Sequence, residues 1–171
     1  ALDWREGRLA SSGSIAGFPA AFLLSRVADL RGIESTLTLG GRWSLDVGER
    51  VTAALEVARE NGDFVIAGEQ RLPLGLERLA LAARVTENRV RLDLEFRSAR
   101  VGSGSGSAET ALNRRDGRWG IAGSAPLRLQ GRATLTSLRP LASLAGPAIA
   151  AEGRVAFEVR GDGTVAEPRL T

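Results

Sequence analysis

The sequence predicts a mainly β fold: a long, curved, mostly antiparallel sheet folded lengthwise into an apolar-lined, taco-like trough, with two short helices. Three observations carry this. From Ile33 to Val47 the odd positions are apolar and large apart from Ser35 and Gly41: Ile33, Leu37, Leu39, Trp43, Leu45 and Val47. The even positions are Glu34, Thr36, Thr38, Gly40, Arg42, Ser44 and Asp46. Side chains on a strand alternate faces, so this is a strand with one greasy and one wet face, roughly 15 residues or about 50 Å long. Second, Asn61-Gly62, Asp116-Gly117 and Asp162-Gly163 punctuate such runs as hairpin turns. Third, only two stretches have helical spacing. Burying one large aliphatic side chain is worth about 1.5–3 kcal/mol, so a face this long cannot be left to water, and two short helices are too little to cover it.

Taken in order, Glu6–Ala16 is a weak strand rich in Ser and Gly. Pro19–Leu30 has apolar residues three and four apart, with Pro19 near the first turn of a helix. The long strand Ile33–Val47 follows. After Gly48-Glu49 the alternation resumes at Val51, Ala53, Leu55 and Val57, turns at Asn61-Gly62, and returns through Phe64 and Ile66. Leu72-Pro73-Leu74-Gly75 breaks the pattern. Leu79–Val85 and Val90–Phe96 are alternating strands joined by a turn at Glu87-Asn88. Gly102–Ser107 is a flexible loop or a thin strand. Asp116-Gly117 turns the chain toward Trp119, Ile121 and Gly123, and Leu127–Leu135 continues on one face. Leu138–Ala145 is the second helix, ended by Pro147. Val155, Phe157 and Val159 form a strand, Asp162-Gly163 a turn, and a last strand starts at Val165 and stops at Pro168. Strand, short helix, strand thus occurs twice, an internal echo suited to an elongated, quasi-repetitive sheet.

The 171 residues contain no Cys, His, Met, Tyr or Lys, so all 23 basic residues are Arg. Disulfides, thiolate metal sites, imidazole bases and Schiff-base lysines are therefore excluded. The pI near 11.0 follows from a net charge of only +3 with nothing titrating between carboxylates and Arg. The arginines are scattered between Asp and Glu, with one Arg114-Arg115 pair, and read as a solvated polar face rather than a nucleic-acid track. No stretch of 18 apolar residues marks a membrane-spanning helix. The chain opens at Ala1 without Met or signal peptide and is expected to be a single β-rich domain over 1–171, a fragment of a longer, periplasm-spanning protein.

No catalytic constellation emerges. Gly102-Ser103-Gly104-Ser105-Gly106, with Ser107 capping a helix over Ala108–Asn113, is a faint dinucleotide loop, but Asp116-Gly117 cuts that helix short. Asp93 and Glu95 share a face between Arg91 and Arg97, and solvated cross-strand ion pairs are the expectation. Trp4, Trp43 and Trp119 are core or rim anchors. Neither a cofactor nor a metal is expected.

Gly153, Val155, Phe157, Val159, Gly163, Thr164, Pro168 and Leu170, preceded by the Leu138–Leu144 helix candidate, form a pattern of strand, Gly-Thr, then Pro closed by an apolar residue. This resembles the TamB family, the inner-membrane-anchored subunit of the translocation and assembly module, in the wider AsmA-like superfamily. The N-terminal echo departs from it, with Gly48-Glu49-Arg50 where Gly-Thr and Pro would stand. The resemblance implies a periplasmic segment of a bridge between inner and outer membranes, a β-rich trough, and the outer-membrane barrel subunit TamA as partner of the parent protein. It also implies a role in phospholipid transport or in assembly of outer-membrane proteins and autotransporters, with no catalytic residues.

The functional expectation is a non-enzymatic hydrophobic groove that holds phospholipid acyl chains or nascent outer-membrane β-strands and binds no nucleic acid. Its lining is expected from Leu37, Leu39, Trp43, Leu45, Leu55, Phe64, Ile66, Leu81, Leu92, Leu94, Phe96, Leu129 and Phe157. Unpaired end strands could add incoming strands by β-augmentation. The alternative is a structural β-helical or sandwich stalk, or an adhesin segment, with a closed dry core.

Overall fold

The structure, a computed structural model, describes residues 2–5, 8–27, 33–67, 71–138 and 153–171. Its elements are β1 (Leu2–Arg5), β2 (Arg8–Pro19), α1 (Ala20–Val27), β3 (Ile33–Ser35), β4 (Thr38–Val47), β5 (Val51–Asn61), β6 (Phe64–Ile66), β7 (Leu72–Pro73) and β8 (Leu76–Thr86). They continue with β9 (Arg89–Ser98), β10 (Gly102–Ala111), β11 (Asn113–Arg115), β12 (Arg118–Gly120), β13 (Arg128–Leu135), β14 (Val155–Gly163) and β15 (Pro168–Leu170). The fold is mainly β, as the alternation predicts.

Ten strands form one antiparallel sheet in the order β1-β2-β4-β5-β8-β9-β10-β13-β14-β15. Each strand pairs with the next long strand the chain supplies, so the sheet is a meander. The edge strands β1 and β15 do not pair with each other, and no barrel closes. Short turns join the strands at Gly48–Arg50 and at Glu87-Asn88, the latter pair at φ 49° and 65°.

The long strand expected over Ile33–Val47 is two strands. β3 leaves the large sheet and joins β6 and β7 in a three-stranded sheet. The break falls at Thr36-Leu37, level with a matching break at Gly62-Asp63 between β5 and β6. One hairpin, β3-β4 against β5-β6, is thus bent at the same height in both arms. Asn61-Gly62 is accordingly the bend of that hairpin and not its turn. Gly62 has φ 81°, and a Cβ there would collide with the Thr36 carbonyl. Asp63 fixes the bend: its backbone N–H donates to Thr36 Oγ1 at 3.1 Å, and its carboxylate accepts N–H bonds from Phe64 (2.8 Å), Gly75 (2.7 Å) and Leu76 (2.9 Å).

Three further expectations change. The first strand runs on through a bulge at Gly17, so Pro19 ends β2 and α1 starts at Ala20; residues 28–30 of the expected helix lie outside the described set. Of the two readings of Gly102–Ser107, the thin strand is the one found, and neither a loop nor a nucleotide cradle forms. The segment belongs to β10, paired on both sides, and Ala108 stands in the strand where the dinucleotide reading needs a helix. Asp162 and Gly163 belong to β14, and the chain turns at Thr164–Glu167 instead, where Thr164 Oγ1 accepts from Glu167 N at 3.2 Å. The second expected helix, Leu138–Ala145, falls from residue 139 onward outside the described residues.

Well-buried packing is local. Ala20 of α1, Leu37, Leu39 and Leu76 form a cluster, with Val57, Phe64 and Leu79 packed against it. α1, the β3–β4 link and β6 therefore cover one end of β4, β5 and β8, and Ala20 N donates to Leu37 O at 2.9 Å.

Candidate functional site

The candidate site is the rest of the sheet's apolar face, built by register. One row across the strands reads Ile15, Gly41, Val57, Leu81, Leu94, Gly106, Gly131 and Val159. The next row on the same face reads Gly13, Trp43, Leu55, Ala83, Leu92, Ala108, Leu129, Gly161 and Leu170. A third reads Leu79, Phe96, Gly104, Ala133 and Phe157. No ionisable side chain stands in these rows. Antiparallel partners share a face, so the alternation seen in single strands adds up to one continuous apolar surface.

The opposite face holds the charge. Arg78 Nε donates to Glu95 Oε2 at 2.8 Å, Arg42 Nε to Glu56 Oε2 at 2.8 Å, and Arg91 Nη1 to Glu109 Oε1 at 2.7 Å. Arg91 also pairs with Asp93, Arg84 with Glu56, and Arg160 with Glu158. Glu95 is thus in a cross-strand ion pair with Arg78, as expected, whereas Asp93 pairs along its own strand with Arg91. At one end Arg8 Nε donates to Asp46 Oδ1 at 2.7 Å, and this hydrogen bond holds the Asp46 carboxyl below its ordinary range. A cleft of about 820 Å³ opens on this polar face, between those ion pairs and over a floor of Ala58, Ala80, Ala82, Ser105 and Ser107. The apolar face is an open surface, not an enclosed pocket. Trp43, Leu55, Leu92, Leu94 and Phe157 are between 38% and 47% exposed. The chain exposes 11964 Å² in all, against roughly 8,000 Å² for a compact protein of its mass.

Of the residues expected to line a groove, Trp43, Leu45, Leu55, Leu81, Leu92, Leu94, Phe96, Leu129 and Phe157 share this face. Leu39 sits at its covered end, buried in the cluster with Leu37. Leu37 lies in the β3–β4 link, and Phe64 and Ile66 lie on the small sheet, so these three belong to the cover and not to the open face.

No protein-family model, curated protein or solved structure matches the chain. The site is therefore read from its own residues.

Sequence reasoning missed which aromatic rings lie over the glycines of this face. Gly13 lies beneath the Trp43 ring and Gly104 beneath the Phe96 ring, so that a Cβ at either would collide with the aromatic side chain. Each ring lies across the neighbouring strand and covers backbone that glycine leaves bare, while Trp43 Nε1 donates to Ser11 Oγ at 3.3 Å. The available signal was Gly and Ser alternating from Gly102 to Ser107, which is itself a period of two. Among the described residues no group of acidic side chains could hold a metal ion.

Proposed function

We propose that this chain is a non-enzymatic periplasmic module of an inner-to-outer-membrane bridge, whose sheet curls lengthwise into a trough and carries apolar clients on its uncovered face. The clients are phospholipid acyl chains, or nascent outer-membrane β-strands. The observation that carries the reading is the apolar face itself, continuous in register across the sheet and exposed at Trp43, Leu55, Leu92, Leu94 and Phe157. Burying such side chains is worth about 1.5–3 kcal/mol each, and an apolar client supplies that burial. The bridge, its periplasmic setting and the TamA partner come from the resemblance of the Gly153–Leu170 segment to the TamB family. In the fold that motif is a strand, a Thr164-capped turn and an edge strand, the unit from which a meander is lengthened. The stalk reading requires a closed dry core, and Leu92, Leu94 and Phe157 stand outside any such core.

Photo-crosslinking in cells tests the proposal. A crosslinking residue at Leu94 should capture lipid or client, and one at the neighbouring Asp93, on the opposite face, should not. Leu94→Arg should abolish transport by placing an unpaired charge on the apolar face. Glu95→Gln should leave transport intact. Equal capture from both faces, or loss of function at Glu95→Gln in a folded protein, would overturn the reading.

A further inference from the structure

The ribbon β11–β12 leaves the large sheet after β10 and reaches back across it. Trp119 Nε1 donates to the Gly48 carbonyl, in the β4–β5 turn, at 3.3 Å. In the sheet order β9, β8 and β5 lie between β10 and β4, and strands stand about 4.8 Å apart, so the ribbon spans roughly 15–19 Å of strand ends. The row of the apolar face nearest that turn reads Leu45, Ala53, Val85, Val90 and Thr110, and each is half-buried. Val51, just past the turn, is 5% exposed. In the next row Trp43, Leu55 and Leu92 are 38–40% exposed. On the polar side of the same end Thr52, Thr86 and Arg89 are exposed. Cover at this end is thus confined to the apolar side, and the ribbon supplies it.

This cover is lightly held. Its feet are fixed: Leu112 N donates to Asn88 O at 2.7 Å, while Ala166 N and Val165 N donate to Gly123 O (2.9 Å) and Ala125 O (3.1 Å). Between the feet, among the described residues, the Trp119 bond is the one hydrogen bond that ties residues 113–121 to the rest of the chain. The ribbon's strands are three residues each, and a two-stranded ribbon is marginal without support. Its seal also has a cost. Asn88 Oδ1 and Thr110 Oγ1 are buried at this end without a hydrogen-bond partner, and water would satisfy both if the ribbon lifted. We propose that the ribbon is a hinged flap over one end of the apolar face, which an acyl chain displaces. Lifting the ribbon about its feet uncovers Leu45, Ala53, Val85 and Val90 and lengthens the open face by one row, about 7 Å. An acyl chain on that row replaces the apolar cover that the ribbon gave. Flap and client compete for one surface, so weakening the flap's hold strengthens binding. The inference rests on the apolar-carrier reading above.

Double electron–electron resonance on the full chain, beside palmitate titrations, tests it. Glu49→Cys in the β4–β5 turn and Arg115→Cys in the ribbon, both exposed positions in a chain without other cysteines, carry the nitroxide labels. Without ligand one narrow distance is expected. Saturating palmitate should move more than about half of the molecules to a second, longer distance. Trp119→Ala should populate the longer distance without palmitate and tighten palmitate binding roughly 10-fold. Trp119→Phe, which loses the N–H donor and keeps an aromatic ring, should tighten it roughly 3-fold and serves if the alanine variant fails to fold. Palmitate binding that is unchanged or weaker in these variants, or a single unshifted distance at saturation, would overturn the flap and leave the carrier reading standing. No palmitate binding by the native chain or by either variant would overturn the carrier reading, and the flap with it.

Discussion

Asp63 concentrates more of the fold in one side chain than any apolar residue does. Its carboxylate accepts from Phe64, Gly75 and Leu76, tying the bend between the two sheets to the start of β8. Hydrogen bonds to a charged acceptor contribute about 1.5–3 kcal/mol each, less when they share one group. Asp63→Ala should therefore cost about 2–4 kcal/mol, and Asp63→Asn, which keeps one acceptor oxygen, about half as much. Urea denaturation measures both; a loss under about 0.5 kcal/mol for the alanine variant would mean the bend is held elsewhere. The sequence marked Asn61-Gly62 because that pair has a turn signature. Asp63 left no mark, since two of its three partners, Gly75 and Leu76, lie 12 and 13 residues away and follow from tertiary placement alone.

At the scale of elements, periodicity was readable and bends were not. The odd-position pattern passes from Ile33 through Leu37 to Leu39 with only Ser35 interrupting it, although β3 and β4 belong to different sheets. A period of two reports which side a residue faces and is blind to a change of direction between residues. β10 shows the converse. Gly102–Glu109 is paired on both sides, yet Gly and Ser carry no greasy alternation, so the strand could equally be read as a loop. Glycine itself separates these cases by experiment. Gly131 lies mid-strand, and a Cβ there would meet only ordinary contacts, the nearest at 3.7 Å, whereas Gly62 has φ 81° and meets the Thr36 carbonyl. Gly131→Ala should be neutral or stabilising by up to about 1 kcal/mol, because alanine loses less conformational freedom on folding. Gly62→Ala should cost about 2 kcal/mol or more. Thermal midpoints of the two variants decide it, and equal shifts would contradict the assignment of Gly131 to a regular strand.

At the scale of the molecule, the uncovered face has a thermodynamic signature. Most of the candidate face was legible, because alternation alone places Trp43, Leu55, Leu92, Leu94 and Phe157 on one side of their strands. What covers Leu37, Phe64 and Ile66 was not legible, because cover depends on how the bent hairpin and α1 pack. A chain of 171 residues that folds into a compact body has a heat-capacity change on unfolding of roughly 2.1–2.6 kcal/mol/K. That change comes mainly from apolar surface first meeting water during unfolding. Here Leu92, Leu94, Phe157 and their neighbours meet water already in the folded state, and the surplus over a compact surface is roughly 4,000 Å². The heat-capacity change should therefore fall roughly a quarter below the compact value. Loading the face with an acyl ligand should restore it and raise the midpoint, since a ligand bound only to the folded state stabilises that state. Leu94→Arg should remove the ligand's effect, while Glu95→Gln, on the polar face, should preserve it. Calorimetry that finds the full compact value without ligand, at a concentration where the chain is monomeric, would mean the face is closed and would favour the dry-cored stalk.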